Sequence, residues 1–500
     1  MTRQEFSEEA LEAWLQCERR AWLERHRPES RSTESGLERY LREQHADLGR
    51  AYRHQLIRTA GSTVTPSTGT GAAADTVRAL RDGAAAVLDG TLTAEGVGGA
   101  SAGMRLRARL DVLRRVREGW AVETIAAGTR VRPHHIRRLA FGRLVAEANG
   151  LPVRRSAVAC VVRAPSPDGP RLRVQDVSAV TADALRRLPA RIGAAGASLR
   201  AAREPRTAIG PHCHRPRTCP FLSRCWAPYD GHSIFEVPGL RSDTRRALRG
   251  AGWSDVRRVP RRAPGLEPAE HHALNDTRAD RVRVDFGALH TGLAELSFPV
   301  AYLDMEFATP AVPWLPGTNP FQPLPFQFSV HLEDAEGGVH NLSFLHREAA
   351  RDPRPALAGA LAEALAGAGS IVVYDASAET LLLTELARAV PTAAATLRSA
   401  AERSWDLLAL VRSAIRHPGF GTGWGLKRVA ATLAPGSYEN VELADGLAAQ
   451  TAWRQLLRSE DAGLAARLRR YCEADSRALL RIVRVLRHWA AGGSGGPAGI

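Results

Sequence analysis

Two carboxylates two residues apart carry the clearest chemical signal in this chain. Tyr302-Leu303-Asp304-Met305-Glu306-Phe307 reads as a strand, and alternation along a strand points Asp304 and Glu306 to one face. Two-metal phosphoryl chemistry needs that geometry. A further acid follows the apolar run Ile371-Val372-Val373-Tyr374, where Asp375 leads into Glu379 on the first turn of a helix. Another stands in Tyr471-Cys472-Glu473-Ala474-Asp475, where Tyr471 and Asp475 share a face of a predicted helix. Each piece alone is also what a solvated charge or a helix-face pair looks like. Their order and element types together are much rarer.

The cysteines form the second constellation. Cys213, Cys219 and Cys225 crowd a short, proline-punctuated loop. Cys17 is the natural fourth ligand, because Cys160 sits in an apolar strand where a buried, inert thiol is expected. Four thiolates suit iron–sulfur or zinc. Zinc sites usually show C-x2-C hooks, so these wider spacings favour a 4Fe–4S cluster, with Zn2+ the alternative. Such a centre would clip the first helix to the end of its domain.

These residues need an α/β framework. Glu8 to Arg25 reads as one amphipathic helix, with Leu11, Trp14, Leu15, Trp22 and Leu23 at helical spacing. Residues 60–103 are rich in Gly, Ala, Ser and Thr and read as a surface excursion with a helix over Asp75 to Asp89. Arg105 to Val116 and Trp120 to Ala126 read as strands, Pro133 to Asn149 as a helix, Ala157 to Arg163 as a strand and Thr181 to Glu204 as a helix. In the later part Val300 to Phe307, Gln327 to Leu332, His340 to Phe344 and Ser370 to Tyr374 read as strands among helices. A chain of 500 residues is too long for one core. The expected domains are 1–228, a connector 229–298, 299–490 and a disordered tail 491–500. Within the connector, Val237-Pro238-Gly239-Leu240, a helix and Gly250-Ala251-Gly252 are similar to a helix-hairpin-helix unit, which grips phosphates through backbone N–H groups; a plain linker helix is the alternative.

Three resemblances add to this reading. Arg109-Leu110-Asp111-Val112-Leu113, a turn, and Trp120-Ala121-Val122-Glu123 resemble the RecB-type PD-(D/E)xK nucleases. The resemblance implies Asp111 and Glu123 as metal-binding carboxylates and His45 as the upstream histidine. Ile125 stands where that family has its lysine and Gly142 where it has a glutamine, so the resemblance implies a degenerate site. One early and three late cysteines also resemble RecB-type domains with a 4Fe–4S cluster. The second half resembles the DEDD superfamily of RNase H-fold exonucleases, in the subclass with Y-x3-D. Carried over, Asp304, Glu306, Glu379 and Asp475 hold two Mg2+ or Mn2+ ions, and Tyr471 positions or deprotonates the attacking water. The second motif departs from the family pattern, with Asp375 at its asparagine and Glu379 at its aspartate. As a whole the chain resembles an uncharacterised bacterial family that joins these two domains. Ala13-Trp14-Leu15-Gln16-Cys17, Pro325-Phe326-Gln327-Phe328-Ser329 and Arg416-His417-Pro418 carry that resemblance besides the motifs above.

Composition sets the partners. The net charge is +15, which attracts polyanions, so nucleic acid is the expected partner, DNA before RNA. Arginine supplies nearly all of the positive charge, and genome-wide base composition explains that equally well. The single lysine, Lys427, stands on a glycine-rich loop where it could contact a phosphate. Asp406, before an apolar helix, is either a structural acid or an outer partner of the metal site, and Asp375 is a second candidate for that outer role. No apolar run of about 20 residues and no signal peptide are seen, so no membrane and a cytoplasmic location are expected. The leading expectation is a metal-dependent nuclease acting in the second half. The alternatives are a non-catalytic nucleic-acid-binding scaffold and residual cleavage by the first half.

Overall fold

The computed structural model describes residues 4–59, 61–69, 71–95, 104–164 and 170–492. Positions 493–500 of the expected tail lie outside the described residues. Two compact units divide the chain: Met1–Cys225 with Thr309–Gln322, and Trp226–Ala308 with Pro323–Ile500. The stretch 229–298, expected as a connector, falls inside the second unit. Among the described residues no helix is long and apolar enough to cross a membrane.

The first unit opens with β1 (Gln4–Ser7) and α1 (Glu8–Gln16), capped where the Ser7 side chain accepts from Ala10 N. The one helix expected over Glu8 to Arg25 is two. Cys17 is extended, ends α1 and caps α2 (Glu18–His26). Next come α3 (Gly36–Thr59), β2 (Thr63–Val64), α4 (Ala72–Arg81) and β3 (Ala86–Glu95). The stretch expected to be an excursion therefore supplies a central strand, and its helix ends at Arg81 rather than Asp89. The reason is that β3 is buried on both faces. Val87 and Leu92 join one core cluster and Leu88 the other, so no polar alternation marks it as a strand. β4 (Met104–Val116), β5 (Gly119–Ala126), α5 (Pro133–Ala148) and β6 (Val153–Val161) follow the expected order. β7 (Leu172–Asp176), α6 (Ser178–Arg200) and α7 (Leu222–Trp226) complete the unit; β7 was not foreseen.

The sheet order is β2-β3-β4-β5-β6-β7, with β1 parallel to the start of β4. Phe6, Leu11, Phe141, Leu188 and Ile192 pack one face through α1, α5 and α6. Leu48, Tyr52 and Leu56 of α3 cover Val112, Ile125 and Ala159 on the other. Ala311 joins that second cluster, and its backbone N donates to Gln44 Oε1.

In the second unit α8 (Ser242–Gly250), α9 (Pro268–Arg278), β8 (Arg283–Val284) and α10 (Phe286–Ala294) precede the main sheet. Then come β9 (Val300–Ala308), β10 (Leu324–Glu333), β11 (Val339–Leu345), α11 (Pro353–Leu365), β12 (Ser370–Val373), α12 (Ala376–Ala389) and α13 (Ala394–Glu402). β13 (Ser404–Asp406), α14 (Leu407–Ala414), β14 (Ile415–Arg416), α15 (Leu426–Leu433), α16 (Gly446–Ser459) and α17 (Ala462–Ala490) finish it. The sheet order is β11-β10-β9-β12-β13. β9, β10 and β11 are antiparallel neighbours, whereas β12 is parallel to β9 and β13 to β12.

Alternation along β9 decides where the chemistry lies. Ala301, Leu303 and Met305 pack against the layer of α11, α12 and α13. Tyr302 packs on the opposite side, with residues of α14, α15 and α17. Asp304 and Glu306 continue the row of Tyr302.

Candidate functional site

The row of alternate residues on β9 meets α17 through a polar seam. In register, Gln327 lies opposite Glu306, Ser329 opposite Asp304 and His331 opposite Tyr302. Gln327 Nε2 donates to Leu468 O at 2.8 Å. Ser329 Oγ and His331 Nδ1 lie 2.8 and 2.9 Å from Ser476 Oγ. Buried polar groups demand partners, so these bonds hold the rotation of α17 about its axis. That rotation turns Tyr471, Cys472 and Asp475 toward β9. The run Pro325-Phe326-Gln327-Phe328-Ser329 thus has a physical role: its polar members carry the helix that carries the acid.

Asp304, Glu306 and Asp475 then converge. One ligand atom from each lies within 4.8 Å of the others. Glu306 and Asp475 are buried and Asp304 is half-buried. Burial and mutual repulsion push the carboxyls of Asp304 and Glu306 well above their ordinary range, and burial raises Asp475. Glu379 lies on the first turn of α12. Its field reaches Asp304 and Glu306, but it stands outside the close trio, and burial followed by the charge of Asp375 pushes it up to about 8.

The polar neighbours are few. Tyr438 donates its hydroxyl to Asp475 Oδ1 at 2.5 Å. Cys472 donates from Sγ to Asp304 Oδ2 at 3.3 Å. Lys427 Nζ sits 4.2 Å from the ring centre of Tyr471, donates to Ala444 O at 2.5 Å, and lowers the cost of ionising Glu306 and Asp475. Burial and the surrounding carboxylates hold the Tyr471 phenol far above its usual range. Gln327 Oε1 is buried without a hydrogen-bond partner. The sequence reading missed Tyr438 and also Asp445, which caps α16 and whose charge adds to the repulsion on Glu306. Both lie in irregular segments whose position no periodicity reveals. Asp375 and Asp406 serve as helix caps: Asp375, in the left-handed region at φ 100°, accepts from Ser377 N, and Asp406 accepts from Ala409 N.

Of the residues expected from the RecB resemblance, the first unit brings His45 and Asp111 together, while Glu123 has partners of its own. Asp111 accepts from Thr124 Oγ1 at 2.6 Å, Ile125 N at 2.9 Å and Arg138 Nη2 at 2.8 Å, with His45 Nε2 at 3.5 Å. Burial opposes its charge, but Arg138 and His45 outweigh burial and hold the carboxyl below its usual range. Glu123 accepts from Tyr52 Oη and Arg114 Nη2, both at 2.7 Å. Ile125, at the lysine position, is packed in the α3 cluster. At Gly142, where the resemblance expects a glutamine, a Cβ would stand 2.6 Å from Leu110 Cδ2, so the Leu110 side chain would have to shift to admit it. A cleft of about 860 Å3 lined by His45, Asp111, Arg42, Arg107, Arg109 and Arg138 opens beside Asp111.

Cys17, Cys213, Cys219 and Cys225 line one small pocket in the same unit, with Arg19, Arg20 and His212. The break between α1 and α2 delivers Cys17, and Gln16 Nε2 fastens that end by donating to His212 O at 2.8 Å and Arg217 O at 2.7 Å. Burial pushes Cys219 up to about 11, and Cys17 and Cys213 add to the shift. Cys160 is buried in β6, away from this pocket.

Residues 301–424 match a domain of unknown function, DUF2779. The DUF2779 stretch begins on β9 and holds Asp304, Glu306 and Glu379. It ends before Lys427, Tyr438 and Asp475, which complete the cluster. No curated protein and no solved structure matches the chain.

Proposed function

We propose that the second unit is a divalent-metal-dependent nuclease of the RNase H-like DEDD type, an exonuclease acting on DNA before RNA. The observation that carries the reading is the trio of Asp304, Glu306 and Asp475, two of them buried, whose ligand atoms crowd within 4.8 Å with one lysine to offset them. Like charges at that distance are unfavourable unless protons or a cation join them. The donor set is all oxygen, which suits Mg2+ or Mn2+, and the orphaned Gln327 Oε1 beside Glu306 fits a site short of a cation or its water. Asp304, Glu306 and Asp475 would hold the metal. Glu379, outside the close trio but with its field on Asp304 and Glu306, would help to hold a second ion. Bound ions would supply Lewis acidity and a water of lowered pKa. Tyr471, kept protonated by its surroundings, would orient the attacking water through its hydroxyl. Lys427 would meet a non-bridging phosphate oxygen.

The first unit is read as a RecB-like nucleic-acid-binding domain without cleavage of its own, because Arg138 and Arg114 already occupy the places where cations would serve Asp111 and Glu123. The four cysteines are read as ligands of a 4Fe–4S cluster. A tetrahedral zinc with bonds of about 2.3 Å would draw its sulfurs to within about 4 Å of each other. Among the described residues the cysteines form no group with three ligand atoms within 4.8 Å.

The test is cleavage of end-labelled single- and double-stranded DNA and RNA with Mg2+ or Mn2+. Asp304→Asn should lose several kcal/mol of barrier lowering, about a thousandfold in rate, while Asp111→Ala should cut like wild type. Loss in Asp111→Ala alone would move the chemistry to the first unit. A wild type inert on every substrate would leave the non-catalytic binding scaffold.

A further inference from the structure

The second unit holds another cavity, of about 320 Å3, lined in part by His272, Arg281, Arg412, Arg416, His417 and Trp424. The acid and base of Asp276 and Arg283, also on its wall, are paired with each other, Nη2 to Oδ1 at 2.9 Å. Arg281, Arg412, Arg416 and His272 are exposed. Among the described residues Arg281, Arg412 and Arg416 make no ion pair, so three guanidinium groups face the cavity with uncompensated charge. Arg412 lies 5.8 Å from the ring centre of Trp424, which holds it in place without neutralising it. Pro238 and Gly239, from the segment similar to a helix-hairpin-helix unit, form part of the same wall, and Gly239 has φ 77°.

This cavity is tied to the carboxylate trio by one short segment. Trp424 lines the cavity and its carbonyl accepts from Tyr374 Oη, one residue before Asp375. Three residues further on, Lys427 faces Glu306 and Asp475. Three residues span at most about 11 Å. A ligand with several phosphates in a row could thus touch the arginines and the lysine together.

We propose that this cavity is a phosphodiester-binding site that holds a single nucleic-acid strand by its backbone beside the carboxylate trio. Arginine suits the task because its fork of donors matches phosphate oxygens. The proposal rests on the nuclease reading for its choice of ligand. Its test does not depend on cleavage.

Binding of a fluorescent single-stranded oligonucleotide to the full chain should be followed by anisotropy in EDTA across a salt series. The double variant Arg412→Glu/Arg416→Glu should bind at least tenfold more weakly. Removing two phosphate contacts should also flatten the slope of log K against log salt by about 1.4. The double variant Arg398→Glu/Arg458→Glu, at exposed arginines on α13 and α16 outside the cavity, changes the net charge equally and should bind at least fivefold better than Arg412→Glu/Arg416→Glu. The milder pair Arg412→Gln/Arg416→Gln, with an unchanged melting temperature, repeats the measurement if the reversal disturbs folding. Equal binding by wild type and both double variants, or no binding by wild type, overturns the proposal. So does a mononucleotide that competes as well as the oligonucleotide. Wild type that cleaves no substrate yet binds in a manner dependent on Arg412 and Arg416 would sink the hydrolytic reading and leave this site standing.

Discussion

Asp304 and Glu306 lie beside Asp475, and each negative charge in the group makes the next harder to form. Glu379 adds to it, with its carboxyl pushed up to about 8 by burial and by Asp375. A carboxyl raised on folding contributes stability that is fully present below its unfolded pKa of about 4.5 and is lost as pH climbs through about 8. The metal-free protein should therefore melt lower at pH 8 than at pH 5.5. Mn2+ should restore the loss at pH 8 by about 2–4 °C and do little at pH 5.5, where protons already occupy the carboxyls. Asp304→Asn should raise the metal-free melting point at pH 8 and shrink the Mn2+ shift. Calorimetry at the two pH values checks this, and an Mn2+ shift independent of pH would remove the electrostatic account. Asp111 differs because Arg138 and His45 already hold its charge. The residue types of both sites were legible in the sequence. Their opposite electrostatic states were not, since these depend on Arg138 and Arg114 folding back over the acids.

Strand alternation and the packing of α5 and α17 govern the elements. The D-x-E pair could be placed on one face from the sequence because period-two alternation is local. The polar seam of Gln327, Ser329, His331 and Ser476 could not, because it joins residues about 145 positions apart. Similarly, Gly142 appears in sequence as a missing glutamine, yet the structure makes it a contact between α5 and β4. Gly142→Gln would drive its Cβ to 2.6 Å from Leu110 Cδ2. Overpacking of this kind costs about 1–3 kcal/mol, so urea unfolding should show a lower midpoint, and the variant should gain no cleavage. A neutral midpoint would mean that Leu110 yields freely and that the site had room for the longer side chain.

Across the molecule, the four cysteines close the first unit on itself. Cys17 comes from the break between α1 and α2, and its three companions come from beyond α6. Protein purified without oxygen should carry roughly four irons per chain and absorb broadly near 400 nm. Cys17→Ser should lose most of that iron and lower the melting point of the first unit. Stoichiometric zinc in a colourless preparation would replace the cluster with a single ion. The sequence by itself determined which residues are candidates, the order of the acids along the chain and most of the strands and helices that carry them, because those depend on residue type and short-range period. Only the tertiary structure decided that β3 is a central strand, that Tyr438 and Lys427 attend the acids, and that Asp111 and Glu123 are already paired. Each of these follows from packing between distant segments, where burial and a neighbour's charge, not local pattern, set the outcome.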